Sequence, residues 1–224
     1  MSTRANCFHS GRQRGMGLIE LMIGMTIGLI VLMALGYFFL GSQQANRTHN
    51  DISRMQESGR NALWMMGMAI RQAGYYPADT KSSFSGTALA GTNGAAGATD
   101  TITLQFDAQE GGEVNCSGDN VAAGALVTHA FAVNGLRQLT CNGIVVVDNI
   151  EDMQIIYGID SNIDSNKKDG VIESYTDTPA NFGRVAAVRV NLTVRGPTAN
   201  AATRGDGFLR QTYSTTFSVR NQAW

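Results

Sequence analysis

The sequence predicts an α+β chain. One long N-terminal α-helix, transmembrane at first and amphipathic afterwards, packs on an antiparallel β-sheet head. Three observations carry this reading. Leu21 to Leu40 is a run of twenty residues without a charge, long enough to cross a bilayer core of about 30 Å as a helix. No proline follows between Gly41 and Gly74, and small or apolar residues return there every three or four positions. From Thr101 onward the period changes to two, the pattern of strands with one face buried and one in water.

The apolar run opens on a carboxylate. In RQRGMGLIELMIGMTIGLIVLMALGYFFL, Arg12 to Leu40, Glu20 stands at the mouth of the segment. A carboxylate at the helix centre costs roughly 2.5–3.5 kcal/mol on insertion scales, and less near an end. A plain anchor gains nothing from it, so the group points to a function with a partner. The competing reading is a helix-end glutamate that reaches the headgroups. Arg4, Arg12 and Arg14 precede the run, and no acid comes before Glu20. That positive excess keeps the N-terminal side cytoplasmic and exports the rest of the chain.

The helix is expected to continue past Leu40. Ala45, Thr48, Ile52, Met55, Gly59, Ala62, Met66, Ala69 and Ala73 follow a seven-residue rhythm, widened by Leu63 and Ile70, which makes one apolar stripe. Arg47, Asn50, Arg54, Glu57, Asn61 and Arg71 occupy the other face. Gly74 is placed for a C-terminal cap, with Pro77 shortly after. Trp64, Met65, Met66 and Met68 at this spacing read as core filler rather than as a cofactor box.

Ser82 to Thr99 is rich in Gly, Ala, Ser and Thr and reads as a surface loop between helix and sheet. Ile102, Leu104 and Phe106 then alternate with polar residues, as do Val188 to Val194 and Tyr213 to Val219. Ala125–Val133, Leu136–Cys141, Ile144–Ile150 and Met153–Ile159 are further strand candidates, with Asn134-Gly135 and Asn142-Gly143 as turn signals. Gly196–Gly207 is expected to be the loop of the last hairpin.

Arg14-Gly15-Met16-Gly17-Leu18-Ile19-Glu20-Leu21-Met22 resembles the prepilin leader junction of type IV pilins and type II secretion pseudopilins. The resemblance implies cleavage after Gly15 by a prepilin peptidase and methylation of the new N-terminus at Met16. Glu20 is then the fifth mature residue, where the family keeps its glutamate. Met16 replaces the commoner phenylalanine, and Gly17 the commoner threonine or serine. An ordinary secretory signal has its apolar region before the cut, whereas here it follows. Cleavage creates a positive α-amino group, and Glu20 offers a negative partner at nearly the same depth. Among stacked helices, where an unpaired charge is expensive, such a pair between neighbours sets the axial register.

The phrases Asp51-Ile52-Ser53-Arg54-Met55-Gln56-Glu57-Ser58-Gly59-Arg60, Ile70-Arg71-Gln72-Ala73-Gly74-Tyr75, Tyr157-Gly158-Ile159-Asp160 and Tyr213-Ser214-Thr215-Thr216-Phe217-Ser218-Val219-Arg220-Asn221 resemble the PilW family of minor pilins. So does Val185-Ala186-Ala187-Val188-Arg189-Val190. The resemblance implies a type IV pilin-like fold: a leader at 1–15, a filament-core helix at 16–40, an amphipathic helix at 41–74 and a β head at 75–224. It also implies a minor pilin that co-assembles with other minor pilins, primes type IV pilus assembly and sits at the tip. The implied partners are those minor pilins, the major pilin and, as a candidate, a tip adhesin. Before assembly the chain would cross the inner membrane once with its head in the periplasm; afterwards it would lie at the cell surface. The rival readings are a J-like type II secretion pseudopilin and a membrane-anchored periplasmic binding protein or enzyme.

Charge and cysteines sharpen the picture. Residues 1–74 hold seven Lys/Arg and three Asp/Glu, whereas residues 75–224 hold ten and fifteen. An acidic head argues against polyanion binding as the main role. Cys7 would leave with the leader. Cys116 and Cys141 remain as an even pair in an oxidising compartment, which reads as a disulfide. Two unpaired buried thiols are the alternative.

Little in the head looks chemical. Within the loop DSNIDSNKKDGVIE, Asp160 to Glu173, the residues Asp160, Asn162, Asp164, Asn166 and Asp169 offer hard oxygen ligands that suit calcium. It matches an EF-hand loop only at its start: the sixth position is Ser165 and the twelfth Val171, and Lys167 and Lys168 oppose a cation. A polar turn solvated by its own side chains is the competing reading. Arg189 and Arg195 share one strand face and Arg210 and Arg220 another, so a DNA-gripping stripe competes with solvated strand arginines. His9, His49 and His129 meet no nucleophile or metal motif, no GxSxG, HExxH, P-loop or GxGxxG is present, and no enzyme is expected.

Overall fold

In the computed structural model the first element among the described residues is one helix, α1 (Leu18–Gln72). The structure describes residues 17–77, 84, 86–95, 97–164, 167–199 and 205–222, without the side chains of 163–164, 167–168 and 222. The Gly17 carbonyl accepts the N–H groups of Glu20 (3.0 Å) and Leu21 (3.3 Å), which starts the first turn. At the far end Gly74 takes φ 76° and donates its N–H to the Gln105 carbonyl at 2.8 Å. That is the left-handed stop expected there.

Two compact units result, one ending at Thr48 and the other beginning at His49. The division between these units falls inside α1, and burial accounts for it. Every residue from Gly17 to Arg47 is exposed, whereas Asp51, Met55, Gly59, Ala62, Met66, Gly67, Ala69 and Ile70 are buried. The expected stripe holds from Met55 onward, but Asp51 rather than Ile52 is the first buried side chain.

The strands of the head are β1 (Leu89–Thr92), β2 (Thr101–Asp107), β3 (Glu113–Val114), β4 (Asn120–Val121), β5 (Leu126–Val133), β6 (Gln138–Cys141) and β7 (Ile144–Asp148). There follow β8 (Ile150–Ile159), β9 (Ile163–Asp164), β10 (Lys167–Lys168), β11 (Ser174–Thr176), β12 (Val185–Ala199) and β13 (Phe208–Ser218). They form not one sheet but two principal ones, ordered β1-β2-β5-β6-β7 and β11-β8-β12-β13, with β3-β4 and β9-β10 as small pairs. Every pairing is antiparallel. Both principal sheets contribute to one core with the buried face of α1. Ile102 and Leu104 enter it from β2, and Val188, Val190, Leu192 and Val194 from β12.

The switch between the sheets is one residue long. Asn149, at φ 64°, separates β7 from β8, and its carbonyl accepts the Arg195 N–H at 2.9 Å. Asparagine tolerates this left-handed conformation, so the break falls there and not at the expected gap after Ile150. The Asn142-Gly143 turn takes φ 50° and 83°, the two positive values a two-residue hairpin needs. At Asn134-Gly135 the positive φ instead belongs to Arg137 (60°), and Asn134 Oδ1 accepts from the N–H groups of Leu136 and Gln138, both at 3.0 Å.

Two expectations about loops change. The Gly/Ala-rich segment contains a strand, β1, whose Leu89 is wholly buried. Gly91 abuts Tyr157 so closely that a Cβ would collide with the hydroxyl. Glycine is there to admit the strand. The last hairpin loop is also shorter than Gly196–Gly207, because β12 runs on through Pro197 to pair Ala199 with Phe208 across a register shift.

Close approach also decides how α1 lies on β13. A Cβ at Gly59 would sit 2.5 Å from Tyr213 Cδ2, and one at Gly67 would meet the Phe217 ring. Two buried acids complete the frame. Thr198 Oγ1 donates to Asp51 Oδ2, tying α1 to β12. Asp100 accepts from the N–H of Gly94 (2.9 Å) and of Ile155 (2.6 Å), tying the start of β2 to β8. Cys116 and Cys141 form a disulfide with Cα atoms 5.9 Å apart, joining the segment after β3 to β6.

Gly67→Ala is expected to destabilise the head by about 1–3 kcal/mol through overpacking. Gly135→Ala, where nothing lies within 4 Å of the added Cβ, should leave the thermal midpoint unchanged; paired calorimetric scans check both. Replacing Cys116 and Cys141 together by alanine should cost about 2–4 kcal/mol, read as a lower urea midpoint under non-reducing conditions.

Candidate functional site

The first candidate is the exposed half of α1. It is long and apolar enough to cross a membrane, and none of its large apolar side chains from Leu18 to Leu40 is covered. From Leu18 to Asn46 the only charged residue is Glu20, which sits in the first helical turn. The unsatisfied N–H groups of that turn favour an anion. So the helix tolerates a carboxylate here better than anywhere further along. Gly15 and Met16, the expected processing residues, lie outside the described residues.

The second candidate is the acidic loop. It brings Asp160, Asp169 and Glu173 together, with one carboxylate oxygen from each lying within 4.8 Å of the others. Asp160 follows β8 and is wholly buried. Its Oδ2 accepts the Gly170 N–H at 2.9 Å, while its Oδ1 has no hydrogen-bond partner among the described residues. Glu173 Oε2 accepts from the N–H of Ser161 at 2.7 Å and from its hydroxyl at 3.2 Å. Asp169 Oδ1 accepts the Val171 N–H at 2.8 Å.

The sequence set was Asp160, Asn162, Asp164, Asn166 and Asp169. Two of these meet. Asn162 is exposed, and the side chain of Asp164 and all of Asn166 lie outside the described residues. Glu173 is the third carboxylate of the cluster, and the sequence set did not include it. A twelve-residue template looked for a carboxylate at Val171, yet Glu173 arrives two positions later, because its N–H pairs with the Ile159 carbonyl at 3.1 Å.

The arginine faces do not form a free stripe. Arg210 donates to Glu151 from Nε (2.5 Å) and to Asp206 from Nη2 (2.6 Å). Arg195 lies within 4 Å of both acids, and Arg137 lies 3.7 Å from Glu151. The Arg210 hydrogen bond holds the Glu151 carboxyl below its ordinary value against a partial desolvation. It pulls Asp206 far lower. The arginines also have aromatic neighbours: Arg195 stacks 3.5 Å from the Phe208 centroid and Arg189 4.7 Å from that of Tyr175. Arg220 falls in a short 3₁₀ turn, Arg220–Gln222, beyond β13.

Among the remaining candidates, His129 is wedged edge-on between Phe106 and Phe131, at 5.4 and 6.4 Å. Burial pushes its pKa down, and its Nε2 has no hydrogen-bond partner among the described residues. It is thus neither exposed nor fully satisfied. Of the Trp/Met group only Met66 is fully in the core; Trp64 is 60% and Met68 41% exposed. Trp64 instead borders a groove of about 440 Å³ between α1 and β7, with Arg54, Glu57 and Asn149.

The Glu151 and Asp206 carboxyls both have folded pKa values below their unfolded ones. Their contribution is therefore present above the unfolded values of about 3.9 and 4.3 and lost as pH falls through the folded values. Arg210→Ala should lower the thermal midpoint at neutral pH, and its gap from the unsubstituted protein should narrow between about pH 5 and pH 2 in scans at fixed ionic strength.

Residues 10–36 match the prokaryotic N-terminal methylation motif, the region of the leader junction and of Glu20. Residues 117–221 match the family described as Type IV Pilus-assembly protein W. No curated protein matches the chain. Among solved structures, a type IV-like pilin from Thermus thermophilus is similar over 80% of this chain and 98% of its own, with 15% identity and a TM-score of 0.47. A methylation motif that leads into an uncovered apolar helix, followed by a match of residues 117–221 to the pilus-assembly W family, supports a PilW-type minor pilin.

Proposed function

We propose that this minor pilin co-assembles with other minor pilins to prime type IV pilus assembly and that it sits at the pilus tip. The observation that carries the reading is the half-helix from Leu18 to Leu40, apolar on every side and uncovered, with Glu20 alone in its first turn. Such a surface has two stable environments, lipid and the packed helices of a filament. Glu20 distinguishes them. In lipid it adds only cost, whereas beside the α-amino group of a neighbour it becomes half of an ion pair. Cleavage after Gly15 supplies that amine at Met16.

The head is consistent with a structural role. Residues 117–221 match a pilus-assembly family, and the disulfide and the buried acids stiffen the head without forming a catalytic constellation among the described residues. By this reading the partners are other minor pilins, the major pilin, a tip adhesin and the prepilin peptidase. The route runs from the inner membrane, with the head in the periplasm, to the tip at the cell surface.

Glu20→Ala in the chromosomal copy is expected to leave the cleaved chain in the inner membrane while surface pili fall several-fold, scored by sheared-pilin yield and twitching. Unchanged piliation would sink the reading in favour of a membrane-anchored periplasmic protein. A deletion that spares twitching and blocks protein secretion would move the chain to the type II pseudopilins.

A further inference from the structure

We propose that Asp160, Asp169 and Glu173 form a divalent-cation site on the head and that calcium is the ion it takes. Acidic clusters are common on protein surfaces, and three carboxylates with oxygens within 4.8 Å of one another would not by themselves make one. Asp160 sets this cluster apart. It has no exposed surface, and its Oδ1 lacks a hydrogen-bond partner among the described residues. A buried carboxylate oxygen without a donor is costly, and folded proteins rarely leave one so. The other two buried acids of the head make the contrast: Asp51 is met by Thr198 and Asp100 by two main-chain N–H groups. A cation between Asp160, Asp169 and Glu173 supplies what Asp160 lacks.

The cage is preset by the main chain. Gly170, Val171 and Ser161 each donate an N–H to one oxygen of Asp160, Asp169 and Glu173 respectively. Glu173 is held beside β8 by its own N–H to the Ile159 carbonyl. These bonds aim the carboxylates without consuming them, since a carboxylate has about four acceptor positions. The ligands are all oxygen, which suits a hard ion and not zinc. A Ca–O length of about 2.3–2.6 Å lets one ion touch oxygens nearly 5 Å apart, whereas an Mg–O length of about 2.0–2.1 Å reaches little beyond 4 Å.

Asp169 and Glu173 are exposed, so the ion can enter from solvent, and water completes its shell. Binding ties the end of β8 to the start of β11, which lies at the edge of the four-stranded sheet.

The test uses the full chain in detergent micelles, stripped with a chelator and titrated calorimetrically with calcium chloride and, separately, magnesium chloride. The expected result is one saturable calcium site in the range typical of extracellular modules, about 10⁻⁴–10⁻³ M, with magnesium binding at least about tenfold more weakly. Asp169→Asn and Glu173→Gln should each weaken calcium at least about tenfold while keeping the chelator-state thermal midpoint, since both side chains are exposed. Calcium should raise the midpoint of the unsubstituted protein and leave those of the variants nearly unmoved. Absence of saturable heat up to about 10 mM calcium, or a site that survives both substitutions unchanged, overturns the proposal. Magnesium bound as tightly as calcium overturns the choice of ion.

Discussion

The constraint on which this protein depends is an apolar helical surface that the described residues leave exposed. Between Leu18 and Leu40 the leucines, isoleucines, methionines and phenylalanines are exposed on all sides. Burying one such side chain is worth roughly 1.5–3 kcal/mol, so the segment cannot rest in water. It must lie in lipid or among other helices. Membrane anchoring and pilus association, which the methylation motif and the family match support, are the two answers to that one demand. Glu20 matters because it is the single charge on this surface.

The second half of the helix solves the opposite problem. From Asp51 onward it must bury one face, and small residues let it do so at short range. Gly59 and Gly67 bring the backbone against the rings of Tyr213 and Phe217. The central strand β12 pairs with both β8 and β13 and presents alternate valines and a leucine to that face. Asp51 and Asp100 then act as pegs between elements. Each is buried, and each is satisfied by a donor from another element, so burial costs little and the alignment of helix and sheets is specified.

Much of the architecture was legible from local pattern. The apolar run, the stripe from Met55 to Ala73, the stop at Gly74 and the alternation at Ile102 to Phe106 and Val188 to Val194 all have a periodicity that a single element imposes. Other features were hidden for identifiable reasons. The strand Leu89–Thr92 lay in a glycine-rich stretch that composition alone assigns to a loop, yet those small residues serve close packing beneath Tyr157. Trp64 and Met68 share the spacing of core residues but sit beside the buried stripe rather than on it, a rotation that only the docking of α1 settles. Arg195 and Arg210, which the sequence placed on separate strand faces, gather on Glu151 and Asp206, where Arg137 joins them at Glu151, because a hairpin and a sheet switch meet there.

By itself the sequence determined the long helix, its two chemically different halves, the position of the lone carboxylate and the antiparallel character of the head. These depend on neighbours within a few residues along the chain, and a periodic string records such neighbours directly. Tertiary structure decided the division of the head into two sheets at Asn149, the burial of Asp51 and Asp100, and the placing of Glu173 beside Asp160 and Asp169. Each joins groups brought together by strand pairing, where contact depends on register and twist. A residue's own neighbourhood in the sequence carries no trace of the partner that folding sets beside it.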